Sequence, residues 1–504
     1  MERRDFFKLA GTSAAVLAVG GALFGCDAAT KAISKPETSE GNQIVGSTPI
    51  SFAKEVDVLI VGSGIAGLSA AMDPIEAKRS VLIVEKLDLL GGESYEANGL
   101  FHVSGTEIQY KAGITTTAED AWKARKKQLE DEGNTEGLSF KHNLIVAQAE
   151  WVNRVSTDYQ SEFADPKEYA SGSVNESILL PKKGIGDMDS VMTPIKNVLT
   201  EKGVDFTLGM HAEAFILDAN DKPAGMRFRT MDAIRTFDVK AKKIIIATGG
   251  FASSQPLMNE NLPDQVKIGC YTIHSMGEGL KLCQTLGATT ADMNDPALLI
   301  GDLPQVSTWG LFGPTMNLSP FGERFAREDQ VGKSATECVA KELGFWWTVF
   351  DGQLSKGSQS RDVALNTSKH AARFIGPFDT TEALANVLKI SKDTLDKTFE
   401  TYGKSVEAKK DSEFGRELYL QNLSAPYYAL KQFPVRYKTL GGVKTNDDGQ
   451  LLGAANAAIE NVYGCGACAA GSVNGLASNA AFGMIVGKAV VAALAADEET
   501  AAQD

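Results

Sequence analysis

The chain has 504 residues, 43% of them hydrophobic and 23% charged, the balance of a soluble protein with apolar matter for two or three cores of roughly 150 residues each. Sixty-four acidic residues against 50 basic ones leave a formal net charge of −14, which argues against nucleic acid and against a basic membrane-docking face. A small-molecule substrate is expected.

The chain opens MERRDFFKLAGTSAAVLAVGGALFGC, with Arg3-Arg4 ahead of Phe6, Phe7 and Lys8 and an apolar stretch broken by glycine and serine. That is a leader and not a folded element. Its Arg-Arg-x-Phe-Phe-Lys pattern resembles a twin-arginine export signal, which implies a protein exported already folded around a cofactor. The expected location is the periplasm or cell envelope, or the outer face of the cytoplasmic membrane. LFGC at 23–26 is similar to a lipoprotein cleavage box, with Cys26 as the candidate membrane tether; the alternative is a soluble exported protein. Residues 27–53 read as a flexible linker. The remaining cysteines, at 270, 283, 338, 465 and 468, are odd in number and form no disulfide framework; Cys465 and Cys468 read as small packed side chains, with a strained disulfide, a redox role or metal ligation with distant cysteines as the alternatives.

From Val56 the sequence VDVLIVGSGIAGLSAAM is an apolar strand feeding into Gly62, Gly64 and Gly67 and then into small helix-compatible residues. A second strand, SVLIVEK, ends at Glu85. Strand, glycine turn, helix and acid-terminated strand form the dinucleotide fingerprint in its proper setting. Gly62 permits the turn, Gly64 admits a pyrophosphate to the backbone, the helix start supplies amides, and Glu85 would take a ribose hydroxyl. Pro74 is expected to end or kink the first helix, at a cost of ~3 kcal/mol in an interior position.

Further along come LLGGESYEANG (89–99) and AKKIIIATGGF (241–251), the latter a buried strand ending in a glycine turn. SPFGERFARED (319–329) follows, then GFWWTVF (344–350), which predicts a buried strand. APYYAL carries Tyr427 and Tyr428, and VRYKTLGGV (435–443) sets Arg436, Tyr437 and Lys438 before two glycines. IENVYGCGACAAG (459–471) is another strand and turn, and NGLASNAAFGMIVGKAV begins a C-terminal helix.

In order and content these segments resemble the flavoprotein family of soluble fumarate reductase and the succinate dehydrogenase flavoprotein subunit, with urocanate reductase and 3-ketosteroid dehydrogenases, over residues 55–494. The resemblance implies an α/β protein: a discontinuous Rossmann-like FAD-binding domain from residues 54–292 and 437–504, with an inserted α+β capping domain at 293–436. It implies noncovalent FAD, since Tyr95 stands near where membrane-bound relatives carry a tethering histidine. By the same likeness Gly62, Ser63, Gly64, Ala66, Gly67, Glu85, Lys86, Gly91, Gly92, Ser94, Asn98 and Gly99 line the cofactor. Ala247, Thr248 and Gly249 close over it, joined by Gly466 and Ala467. Gly475 and Leu476 start a helix facing the flavin pyrimidine, where a positive dipole favours an anion. His274, before a Gly-Glu-Gly turn, reads as structural.

The departures bear on substrate. The family's Gly-x-Arg-Phe turn places Arg324, Arg327 and Glu328 near the chemistry. In fumarate-reducing relatives an arginine eight residues after that turn's arginine donates the proton; here that position is Gly332, with Lys333 beside it. One carboxylate-gripping histidine falls near Leu299, and the other, before the Thr-x-Gly-Gly turn, falls on Tyr437. No arginine follows Arg436, and no histidine follows His370. A dicarboxylate leaving water needs fixed cationic partners, so fumarate is a poor fit. The expected substrate is an enone, such as a steroid or related polycycle, or an aryl acrylate held by one cation.

The expected chemistry is that of an oxidoreductase acting on CH–CH or C=C bonds, with hydride delivered to the β-carbon and a proton to the α-carbon. Tyr437 or Lys438 would polarise the activating carbonyl. Lys333, Tyr437, Tyr428 and Arg324 are the candidate proton donors. No metal site is expected. Without a Cys-x-x-Cys-His haem motif, electrons must come from a separate donor protein or a membrane redox chain. The sequence leaves two alternatives open: desaturation in the reverse direction, and a non-catalytic electron carrier.

Overall fold

Valine- and isoleucine-rich runs build the centre of the molecule, because β-branched side chains pack well on a sheet covered on both faces. In the computed structural model the elements that position the site are, in chain order, β1 (Lys54–Val61), α1 (Ile65–Ala70), β2 (Val81–Val84), β3 (Phe101–His102), β4 (Asp205–Thr207), β5 (Thr236–Ile246), β6 (Gly269–Cys270), β7 (Leu298–Gly301), β8 (Trp346–Asp351), β9 (Tyr427–Gln432), β10 (Pro434–Lys438), β11 (Ala458–Gly464) and α2 (Leu476–Ala501). The structure describes residues 43–44 and 50–503 apart from 132, 134, 169–176, 233, 353, 355–372 and 472–474. The proposed leader, Cys26 and most of the linker lie outside them.

β4, β2, β1, β5 and β11 run parallel, with Val61 level with Val84 and Ile246, Val84 level with Thr207, and Ile246 level with Gly464. Five strands therefore end on one edge, where open α/β sheets bind their ligands. An antiparallel hairpin, Met210–Leu217 and Pro223–Thr230, extends the sheet from the first half of β5. Val58, Leu59, Ile60, Leu82, Ile83 and Ile244 are fully buried, so their hydrophobic gain is complete, roughly 1.5–3 kcal/mol for each side chain.

α1 stops at Ala70, and a second short helix starts at Met72 with Pro74 inside it, the break expected from a residue that cannot donate to the turn before. α2 lies against α1 backbone to backbone. A Cβ on Gly483 would stand 2.1 Å from the Ala66 carbonyl oxygen, and one on Gly487 would stand 2.7 Å from that of Ala70. The small residues that make α2 look featureless in sequence are thus what lets it approach.

The intervening chain builds a separate four-stranded antiparallel sheet, in which β8 pairs with β9 and with Thr315–Leu318, and Phe374–Phe378 pairs with the other side of β9. Every residue of β8 is buried, as GFWWTVF predicts. A small sheet of β6, β10 and β7 bridges the two regions, with Leu299 opposite Arg436 and Leu298 opposite Lys438. Its strand β10 runs straight into Thr439, whose Oγ1 accepts the Phe251 amide at 3.0 Å. That bond ties the end of β10 to the glycine turn after β5.

Candidate active site

A cleft of about 1290 Å³, measured to its open mouth, runs along the ends of the parallel strands. Its floor is backbone. Gly62 has φ +103°, and a Cβ there would lie 2.4 Å from the Ala247 carbonyl oxygen, so only glycine serves. Gly67 packs as tightly on the Gly62 carbonyl, at 2.0 Å, while Gly64 faces open space up to the Ser94 hydroxyl at 3.5 Å. Glu85 is held at the rim: Oε2 accepts from the Ser63 amide (2.9 Å) and hydroxyl (2.7 Å), and Oε1 from the Leu87 amide (3.0 Å). Thr248 Oγ1 and Asn479 Oδ1 belong to residues lining the cleft, are buried and have no hydrogen-bond partner among the described residues, which suits a polar ligand.

FAD fits this cradle. Its pyrophosphate would be held by the Gly62–Gly64 backbone and its ribose by Glu85, with the chain around Thr248 and Leu476 closing the remaining length.

Among the expected cofactor residues, Ser63, Gly67, Gly91, Asn98, Gly99 and Gly466 do not line the cleft; all the others do. These six shape it from behind. Ser63 is spent on Glu85 and on accepting the Gly91 amide at 2.9 Å. Gly91 backs onto the Tyr95 ring, Gly99 onto Pro181 and Gly466 onto Ala66. The Asn98 carbonyl accepts the Gly186 amide at 2.8 Å.

Of the five candidate catalytic residues, Tyr437 and Lys438 reach the cleft and three do not. Arg324 is buried in the cap region, bonded to Glu328 (2.8 and 2.9 Å) and Asp411 (2.9 and 3.2 Å) and lying over Tyr402 and Phe414. Burial works against its charge, but the two carboxylates outweigh it and hold its pKa above the ordinary value, so it is no proton donor. Glu328 is committed to the same network, and Arg327 pairs with Asp329 at 2.7 Å. Lys333 is 44% exposed at a helix start and pairs with Glu337 one turn on. Tyr428 stacks between Phe350 and Phe374, both 5.6 Å away between ring centres.

The residue immediately before the Thr439-Leu440-Gly441-Gly442 turn is Lys438, with Tyr437 one place earlier. The family histidine's place is therefore taken by an amine, a correction to the reading that put a phenol there. Burial pulls the Lys438 amine down to about 8, and it makes no hydrogen bond or ion pair among the described residues. Tyr437 is half-buried beside Tyr271 (5.6 Å, 46° between ring planes) and meets the Asn98 backbone; desolvation first, then Tyr271 and Glu93, push its phenol up and keep it protonated. Arg436 turns the other way, donating to the Gln265 and Val266 carbonyls.

Sequence reasoning missed Tyr271 and Glu93, both of which line the cleft. Burial raises the Glu93 carboxyl despite its bond with Ser275. His274, expected to be structural, does line the cleft, although its carbonyl also anchors Lys86 at 2.7 Å. Cys465 and Cys468 are buried free thiols, as expected; the Cys468 thiol donates to the Ile246 carbonyl at 3.0 Å. Among the described residues no cluster of ligands could hold a metal ion.

Comparison with known proteins agrees with this geometry. Residues 57–483 match the family described as FAD binding domain. The chain belongs to that family. Curated relatives include the NADH:fumarate oxidoreductase of Klebsiella pneumoniae, 26% identical over 89% of this chain and 48% of the relative. The urocanate reductase of Eggerthella lenta is 24% identical over 85% and 72%. The chain thus spans about half the length of the first and nearly three quarters of the second. Among solved structures, the open form of a flavocytochrome c3 fumarate reductase superposes with TM-score 0.66 at 22% identity, over 88% of this chain and 79% of that one. The 3-ketosteroid-delta4-(5alpha)-dehydrogenase of Rhodococcus jostii gives 0.65 at 18% identity, over 88% and 98%. The shared fold is mixed α/β.

Proposed function

We propose that this protein is an exported FAD-dependent reductase of a C=C bond conjugated to a single carbonyl or carboxylate group, and not a reductase of dicarboxylates. One observation carries the reading: among the described residues no arginine lines the cleft, and of the two lysines that do, Lys86 is paired with Glu278 while Lys438 has no carboxylate partner. Arg324 and Arg436, the arginines nearest the family's gripping positions in sequence, are bound elsewhere. Relatives named for fumarate, urocanate, acrylate and digoxin all reduce a substrate, and only fumarate among these presents two carboxylates across the double bond.

When bound, FAD supplies the hydride that adds to the β-carbon. Lys438 and Tyr437 would donate hydrogen bonds to the substrate carbonyl, which count most as negative charge develops on that oxygen. With a pKa of about 8, Lys438 is also poised to deliver the proton that completes the α-carbon. Tyr271 and Tyr437 stand as neutral phenols against the same space, a pairing that suits a ketone and supports desaturation as the second reading. Electrons would arrive from a separate donor.

The test is to reduce the bound flavin without oxygen and mix it with enones, aryl acrylates and fumarate. Rapid reoxidation by either of the first two classes is expected. Rapid reoxidation by fumarate would overturn the argument from the missing arginine. Reoxidation by redox proteins alone would make this an electron carrier.

A further inference from the structure

Lys438 stands where the cap region meets the cradle. It closes strand β10, with Leu298 of β7 opposite it and Thr439, one residue on, tied to the turn after β5. Its side chain is half-buried and lines the cleft together with Tyr271, Tyr437 and Leu476, and it makes no hydrogen bond or ion pair among the described residues. The other lysine of the cleft is committed, since Lys86 bonds Glu278 and the His274 carbonyl. An amine set apart from carboxylates has little to stabilise its proton and is left as a nucleophile. Desolvation brings it down to about 8, so roughly a tenth is free amine at pH 7.

The charge around the cleft selects what that amine can meet. Glu85, Glu93, Glu96 and Glu278 line it, against Lys86 and Lys438. Glu93 accepts a hydrogen bond from the Ser275 hydroxyl, and Glu96 faces His274 at 3.7 Å, so neither is spent on Lys438. Tyr271 and Tyr437, 5.6 Å apart between ring centres, add neutral phenols to the same wall. Such an excess of carboxyl groups disfavours an anionic substrate and suits a neutral carbonyl compound.

Resting on the reductase reading, we propose that Lys438 captures the substrate's carbonyl carbon covalently as an iminium, which makes the substrate an α,β-unsaturated aldehyde or ketone and not a carboxylate. The amine nitrogen bonds the carbonyl carbon, and the oxygen takes one amine hydrogen and one further proton and leaves as water. The cation so formed draws electrons from the conjugated double bond. The β-carbon then accepts the hydride that the reading above assigns to FAD, which leaves a neutral enamine on Lys438. Tyr437, whose phenol stays protonated, is placed to protonate the α-carbon and restore the iminium. Water finally returns the saturated carbonyl compound, the amine and the proton first taken up.

The probe is 4-phenylbutan-2-one, a ketone with no alkene to reduce, added to the holoenzyme with sodium cyanoborohydride, which reduces an iminium and spares a ketone. The intact mass should rise by one probe less one oxygen. Peptide mapping should place at least about tenfold more label on Lys438 than on any exposed lysine, since its share of free amine is larger. Lys438→Arg keeps a charge and hydrogen-bond donors but cannot condense; it should take no label there and lose about 10³-fold in turnover of 4-phenylbut-3-en-2-one. Flavin content and melting temperature show that the variant has folded, and Lys438→Gln stands in if it has not. Attack needs the free amine and loss of water needs acid, so turnover falls at alkaline pH whether Lys438 condenses or only donates hydrogen bonds, and trapping tells the two roles apart.

Label on Lys438 no greater than on exposed lysines, or a Lys438→Arg variant that keeps its turnover, would overturn the proposal. So would cinnamate reoxidising the reduced flavin as fast as the enone does, since a carboxylate forms no iminium. Because trapping needs no alkene, label on Lys438 in a protein whose reduced flavin no enone reoxidises would sink the reductase reading and leave carbonyl capture standing. Fast reoxidation by the enone without label would do the reverse.

Discussion

Two parts of this molecule bury cations in opposite ways. In the cap region Arg324 meets Glu328 and Asp411, and Arg416 adds bonds from its guanidinium to the Thr315, Gly313 and Leu418 carbonyls and an ionic contact to Glu328 at 3.4 Å. In the cleft Lys438 has no partner among the described residues. The difference separates scaffold from site. A buried charge with every direction satisfied is fixed in place, whereas one left open carries a desolvation penalty that a ligand can relieve.

The comparison can be broken by substitution. Arg324→Met leaves two carboxylates buried without their counter-ion and should destabilise the protein by about 3–5 kcal/mol in urea denaturation. An effect below 1 kcal/mol would mean the network contributes nothing. Lys438→Met should act in the other direction. The folded amine sits near pH 8 and the unfolded one near 10.5, so the unfolded chain binds more protons between these values and stability rises with pH there. Below pH 8 the penalty is complete, and its removal should stabilise the variant by up to about 3 kcal/mol at pH 7 and by nothing above pH 10.5. The same variant should lose about 10²- to 10³-fold in turnover, and wild-type turnover should decline above pH 8. Lys333→Ala, which removes an exposed pair within one helix, should change stability by less than about 0.5 kcal/mol and leave turnover unaltered.

The nucleotide-binding half was legible because its constraints are local. Gly62, Gly64 and Gly67 are demanded by a turn within a few residues, and the apolar runs that become β1, β2 and β5 declare their own burial. The cap residues were misplaced because their fates are decided far away in the chain: Arg324 is claimed by Asp411, 87 positions on. Arginine next to an aromatic looks the same in sequence whether it faces substrate or a carboxylate. Lys438 and Tyr437 were found through their adjacency to the glycine pair, but which of them abuts Thr439 needed a count and not a pattern.

The close seating of α2 on α1 has a consequence for how the protein comes into being. One wall of the cofactor cleft begins at Gly475 and is held there by Gly483 and Gly487 resting on the backbone of residues 66 and 70. Synthesis reaches the glycine turn at Gly64 long before this wall. A nascent chain therefore carries an unfinished cradle until the helix that starts at Leu476 has left the ribosome, and flavin loading must wait for it.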